Sequence, residues 1–398
     1  MEDIKERSTA PGNLRDMLRA PEGSRTLLYT AMALLSCAVL PLSDNPTVAT
    51  LYMLLCAVFY YMTVHSVRGL IVYAAPVFLL YMLGSLVPAM GSPLILPAAF
   101  LCFVTGCSSG AFLLMHQTGW RQNLTLLWIP AVAYVTVAFV TGDPLRGALV
   151  LLPAVPAVLC ALCALRLVPR TTATVALAAA LALLLGVAGL ITLAATGGLS
   201  ADLAGRLGDL LRGGIVDLFA QMRTVYAEAG VLLGLSDADV SNMAILLVNL
   251  VPGLFLAICT VTAFLLWRTL LQLLLANGSL PRLPLRLTGL TVSRFAAVIF
   301  LTAYLLSIFA NSGSTTLFGT VCENLSLVLE PCLALVGFTS LLTGAHRSCL
   351  STVLGFGLIM FLFYSPFTAL SLAAAVGAVR ILTAKGRANT DTPTDNDN

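Results

Sequence analysis

The sequence predicts an all-α fold: a polytopic membrane helical bundle of roughly 11–12 transmembrane helices plus one extracytoplasmic amphipathic helix. Three observations carry this. Of 398 residues, 59% are hydrophobic and 10% charged, against about 45–50% and about 25% in soluble domains. The apolar residues come in runs of about 20, the length that crosses a hydrocarbon core. Short breaks rich in turn formers, such as "SDNP" at 43–46, "MGSP" at 90–93 and "GDPLR" at 142–146, separate those runs.

The expected spans are 26–42, 47–64, 69–89, 94–115, 122–141, 147–166, 172–196, 243–267, 292–310 and 319–344, followed by a run over 350–383. As one helix that last run would exceed the core, since a helix rises about 1.5 Å per residue against roughly 30 Å of hydrocarbon. Proline disfavours helical geometry in the residue before it, so Ser365-Pro366 divides the run into helices 350–364 and 366–383. Residues 197–240 differ from their surroundings: six acids and three arginines alternate with Leu203, Leu207, Leu210, Leu211, Leu218, Met222 and Val225. That spacing makes one apolar helical face, suited to an interfacial helix on the outer surface, with a break expected at Gly213-Gly214. The organisation expected is therefore a cytoplasmic N-terminal tail (1–25), an N-terminal bundle (26–196), the amphipathic segment (197–240), a C-terminal membrane region (241–385) and a disordered cytoplasmic tail (386–398).

Arginine and lysine in short loops mark the cytoplasmic side. The N-terminal tail, Arg68, Arg121, Arg166 with Arg170, a basic loop carrying Arg268, Arg282, Arg286 and Arg294, and Arg347 fall on one side, with Arg146 the short-loop exception. Both termini are then cytoplasmic. His65, His116, His346, Trp120 and Trp267 fall near the inner boundary, where rim placement accounts for them. The first 25 residues lack an apolar stretch and a small-residue cleavage pattern, so they do not read as a signal peptide.

The formal charge of +3 comes with no basic stripe, which argues against nucleic acid. There is no glycine-rich phosphate loop with its lysine, no H-E-x-x-H and no G-x-S-x-G. No enzymatic activity, cofactor or metal site is expected, and nucleotide-driven transport would need a partner ATPase. Most of the ten cysteines sit in apolar runs as small hydrophobes; the C-x-x-C of Cys160 and Cys163 has no second pair or nearby histidine to complete a zinc site. "GCSSG" at 106–110 brings small residues together for close helix packing. Tyr60, Tyr61 and Tyr73 suit either a pocket or an interfacial belt.

Two polar groupings remain inside the apolar runs, where polar residues are costly and usually face the bundle interior. In "NLVPGLFL", Pro252 frees the carbonyl four residues earlier and Gly253 eases a bend, with Asn249 close enough to serve the freed backbone. The segment is either a structural kink or the unwound part of a substrate site. In "ENLSLVLEP", Glu323 and Glu330 are two helical turns apart on one face. If one helix spans 319–344, Glu330 lies at mid-membrane and suits a proton- or cation-coupled step. If Pro331 starts the helix, Glu330 is interfacial and 315–329 is a surface segment.

The run "VPGLFLAICTVTAFLLWRTLLQLL", then "LPRLPLRLTGLTVSRFAAVIF", then "EPCLALVGF" and a closing apolar segment ending in basic residues resembles the YybS-like family of bacterial membrane proteins over 240–385. Pro252 and Arg268 fall on family-like positions. The resemblance implies a bacterial inner-membrane location and a core similar to the substrate-binding subunits of energy-coupling-factor vitamin importers, which capture a small molecule and rely on separate ATPases. The closing stretch "AVGAVRILTAKGR" lacks the expected acid, and the N-terminal bundle exceeds a six-helix pattern. The expectation is a ligand-binding or transport-related subunit in the lipid bilayer, with a small-molecule ligand and an ATPase or other membrane partner. The alternatives are a self-contained cation-coupled transporter using Glu330, and a membrane scaffold whose helix 200–234 and arginine loop recruit partners.

Overall fold

The protein is described from a computed structural model over residues 23–42, 45–64, parts of 74–85, 92–116, 120–197, 203–228, 236–276, 291–310, 316–343 and 349–383. Every regular element among these residues is helical: α1 Gly23–Val39 with a 3-10 turn at Leu40–Leu42, α2 Pro46–Val64, α3 Ile95–His116, α4 Trp120–Thr141, α5 Pro144–Ala148, α6 Leu151–Leu165, α7 Arg170–Gly197, α8 Leu203–Glu228, α9 Asp237–Ala276, α10 Arg294–Ala310, α11 Leu317–Thr343, α12 Cys349–Tyr364 and α13 Pro366–Thr383. Six of the described helical segments are long and apolar enough to cross a membrane. The all-α bundle stands. Of the predicted helix 69–89 only parts of 74–85 are described, and these are helical; the tails and the side chains of the three histidines lie outside the described residues.

Turn chemistry explains the boundaries. After α4, Gly142 takes a left-handed backbone (φ 67°) that a side chain would disfavour, and Asp143 caps α5 by accepting the Leu145 N–H at 2.8 Å. Pro144 at the first helical position needs no donor there. The expected span 147–166 is therefore entered through a short helix rather than begun at 147. At Ser365-Pro366 the expected break is present, giving α12 and α13.

Three expectations are corrected. The helix predicted over 243–267 runs from Asp237 to Ala276, 40 residues or about 60 Å. Ser236 and Asp239 form a reciprocal capping box at its start, and Leu270, Leu271, Leu273 and Leu274 bury its far end. Arg268 consequently sits within α9 rather than in a loop; Arg294 begins α10, and Arg282 and Arg286 lie outside the described residues. Second, α8 continues through Gly213-Gly214. Each glycine costs about 1 kcal/mol relative to alanine, but with no proline or left-handed cap the apolar stripe carries the helix across. Third, Trp267 is a core residue with 0% exposure, not a rim residue: it points along the same side of α9 as Ala263, Leu266, Leu270 and Leu274.

The chain forms two compact units: 1–244 with 262–290, and 245–261 with 291–398. In the first, Tyr29 of α1 stacks on Phe112 of α3 with centroids 4.0 Å apart and meets Phe59 of α2 edge-on at 5.3 Å. Ser36 and Tyr52 share a buried hydrogen bond at 2.6 Å. The "GCSSG" glycines pack as expected: a Cβ at Gly106 would lie 2.9 Å from the Ser36 side chain, and one at Gly110 2.9 Å from Ala157. Arg170 stands 4.4 Å from the Phe264 ring centre, tying α7 to α9.

The second unit is built from α10, α11, α12, α13 and residues 245–261 of α9. Its core joins Ala297 and Phe300 of α10, Leu333 and Ala334 of α11, and Ala373, Ala374 and Ala378 of α13. Helices α11 and α13 touch backbone to backbone. A Cβ at Gly337 would collide with the Ala373 carbonyl oxygen, and one at Gly377 with that of Leu333. The two run parallel: Glu330 pairs with Ser371, Gly337 with Gly377, and the Arg380 guanidinium donates to the Ser340 carbonyl. α12 returns the chain between them. In lipid, where apolar burial does not draw helices together, such small-residue contacts are the main source of packing.

Gly377→Leu should therefore destabilise the second unit by about 3 kcal/mol, the upper range for overpacking, whereas Gly357→Leu, at a glycine with open space around it, should change little. Denaturant titration of the detergent-solubilised chain measures both; equal stability of the two variants would contradict the crossing.

Candidate functional site

The candidate residues Asn249, Pro252, Gly253, Glu323 and Glu330 all lie in the second unit, on α9 and α11, but they separate into two arrangements. The first surrounds Pro252. In a regular helix the Gly253 N–H would donate to the Asn249 carbonyl. Here the side-chain amide of Asn324 spans that pair: its Oδ1 accepts from Gly253 N–H at 2.6 Å, and its Nδ2 donates to the Asn249 carbonyl at 2.8 Å. Nδ2 also donates to the Thr320 carbonyl at 2.9 Å. A Cβ on Gly253 would lie 2.6 Å from Asn324 Oδ1 and 2.9 Å from its Cα, so only glycine admits this approach.

Proline disrupts the helical ladder around it, and a bilayer tolerates such backbone only where protein groups satisfy it. Asn324 supplies them across a gap of 71 residues. Asn249 contributes its carbonyl, and both Asn249 and Pro252 are exposed. The Gly253 N–H and the Asn249 carbonyl of the "NLVPGLFL" segment are thereby both engaged by Asn324, which braces α9 against α11 at this level.

The second arrangement is a cleft of about 300 Å³ lined by Leu254, Ala257 and Val261 of α9, by Leu327, Glu330, Pro331, Ala334, Leu335 and Phe338 of α11, and by Leu370 of α13. The α11 positions recur at three- and four-residue intervals and so form one face. α11 is a single helix from Leu317 to Thr343 with Pro331 inside it, which removes the alternative in which Pro331 begins the helix. An interior proline costs about 3 kcal/mol; the segments on both sides of it stay helical against α10 and α13. Among the described residues, Glu330 is the only ionisable one of the lining. Its Oε1 accepts a hydrogen bond from Ser371 Oγ at 2.6 Å, and no arginine or lysine pairs with it among the described residues. Glu323 sits about 10 Å further along the helix, partly buried and outside the cleft lining.

Asn324 and Ser371 were not singled out from sequence. Asn324 carried a signal, being an amide within an apolar helix; Ser371, in an alanine-rich stretch, carried none. Elsewhere, Tyr60 is buried, Tyr61 is exposed and Tyr73 is outside the described residues. Tyr60 joins Arg268, Thr269 and Gln272 around a smaller cavity of about 90 Å³ in the first unit. Cys160 and Cys163 are buried free thiols on α6.

No protein-family model, curated protein or solved structure matches this chain. The YybS-like resemblance read from 240–385 finds no support in those comparisons.

Replacing Asn324 with leucine keeps approximate volume but leaves the Gly253 N–H without its acceptor. A cost of about 1–2 kcal/mol is expected, in the range for an unsatisfied buried group and for interhelical hydrogen bonds in membranes. Hydrogen exchange at Gly253 should accelerate correspondingly; unchanged protection in Asn324→Leu would contradict the bridge.

Proposed function

We propose that this chain is a ligand-binding or transport-related subunit of a membrane, with Glu330 as the residue its ligand engages and with energy, where needed, supplied by a separate ATPase. A single observation carries the proposal: among the described residues one carboxyl group, held by one hydroxyl and by no cationic side chain, lines an otherwise apolar cleft in a helical unit. Ionisable groups at such positions are expensive and mark pathways or binding sites. Clefts that are mostly apolar with few polar groups are also the usual form of small-molecule sites.

The self-contained cation-coupled transporter draws on the same carboxyl group, and the Ser371 hydroxyl favours it to this extent: a second oxygen beside Glu330 helps hold a proton or cation. It differs in needing no ATPase. The scaffold alternative needs neither the cleft nor Glu330, and nothing in the cleft favours it.

Native mass spectrometry of the chain purified in mild detergent tests the proposal. A small molecule should accompany the wild-type protein and be lost from Glu330→Gln, while Ser371→Ala should retain it at reduced occupancy. Equal recovery from wild type and Glu330→Gln, or no bound molecule in either, would overturn it.

A further inference from the structure

The chemistry of the cleft narrows the ligand, on the premise that the Glu330 cleft is a ligand site. An anion is disfavoured, because among the described residues the only ionisable lining group is acidic and no arginine or lysine contributes to the wall. A sugar or other polyol is disfavoured as well: the remaining described lining residues are Leu, Ala, Val, Pro and Phe, which offer no side-chain hydrogen bonds, and unpaired hydroxyls would cost their desolvation. A divalent cation needs more oxygen donors than are present. Calcium takes about six to eight and magnesium about six, whereas Glu330 and Ser371 supply two side chains and Glu323 is about 10 Å away along the helix.

A cation with an apolar body satisfies every feature. Its charge would meet the Glu330 carboxylate in a place of low dielectric, where charge-assisted hydrogen bonds are strong. The body would lie along the α11 face toward Phe338, eight residues or about 12 Å further on, between Leu335 on one side and Leu254 and Val261 of α9 on the other. A volume of about 300 Å³ is at the lower limit for ligand pockets and sets the scale at about a dozen heavy atoms. We propose that the Glu330 cleft takes a small amphiphilic monovalent cation, a protonated amine on an apolar chain or ring, with its charged end at Glu330 and its apolar end at Phe338.

Three probes of one scaffold and different charge test this: 4-phenylbutylamine, cationic at neutral pH, 4-phenylbutanol, neutral, and 4-phenylbutyrate, anionic. Ligand-observed NMR on the full chain in nanodiscs, with empty nanodiscs subtracted for lipid partitioning, gives their affinities. The amine should bind at least about tenfold more tightly than the alcohol, the contribution of one charge-assisted contact, and the anion most weakly. Glu330→Gln should bring the amine to the level of the alcohol while leaving the alcohol unchanged. Ala257→Trp, which fills the cleft and keeps Glu330, should weaken both.

Equal binding of amine and alcohol to the wild type, or preference for the anion, would overturn the cation assignment while leaving the cleft as a ligand site. If Glu330→Gln does not fold, undiminished amine binding in Ala257→Trp would place the amine elsewhere and equally overturn the proposal. Absence of binding by any probe would overturn the ligand class. The broader function would then stand only if a molecule co-purifies in a Glu330-dependent manner, and would fall with it otherwise.

Discussion

The second unit depends on the crossing of α11 and α13 at Gly337 and Gly377, where each backbone occupies the space a side chain would need. Because the helices are parallel, their pairings keep step on both sides of the contact: Glu330 with Ser371 before it, Ser340 with Arg380 after it. The small residues Ala334, Ala373, Ala374 and Ala378 extend the close approach. A bulkier pair at the crossing would force the helices apart, and Ser371 would then leave hydrogen-bonding range of Glu330. Packing and site chemistry are thus linked through residues that have no chemistry of their own.

The contact of Asn324 with α9 at Pro252 is the second constraint. Pro252 disturbs the ladder, and Asn324 answers by placing one amide group against both a donor and an acceptor of that helix. This fixes α9 against α11 at one level, and Leu254, Ala257 and Val261 follow directly after it along α9 as cleft wall. The proline and glycine inside the apolar run therefore lie where one wall of the cleft is held against α11. The distinction separates what Asn249, Pro252 and Gly253 do from what Glu330 does, although all four are costly in lipid for the same reason.

How much of this could be read from the amino-acid order follows from the range of each interaction. The division at Pro366 and the break at 142–146 are local, governed by backbone geometry over a few residues, and both were legible; the helix that Asp143 caps within that break was not. Glu330 was legible because a carboxylate in an apolar run is expensive wherever the neighbours are. Its partner Ser371 was not, since serine is inexpensive enough in a helix to pass as filler and the pairing spans 41 residues. Asn324 carried a signal as an amide in an apolar helix, but its role did not, since that depends on facing Gly253 across 71 residues. The break expected at Gly213-Gly214 failed because glycine lowers helix preference without ending a helix, and Trp267 was misplaced because a tryptophan near a span end suits a rim or a core equally well.

The Glu330–Ser371 contact follows from the Gly337–Gly377 crossing, and infrared spectroscopy tests this dependence most directly. The Glu330 carboxyl band, isolated by subtracting the Glu330→Gln spectrum, should shift when its hydrogen bond is removed by Ser371→Ala. It should shift to the same position in Gly377→Leu, which leaves Ser371 intact and lies outside the cleft lining. A band unmoved by Gly377→Leu while Ser371→Ala moves it would contradict the dependence, and a band unmoved by either would contradict the contact itself.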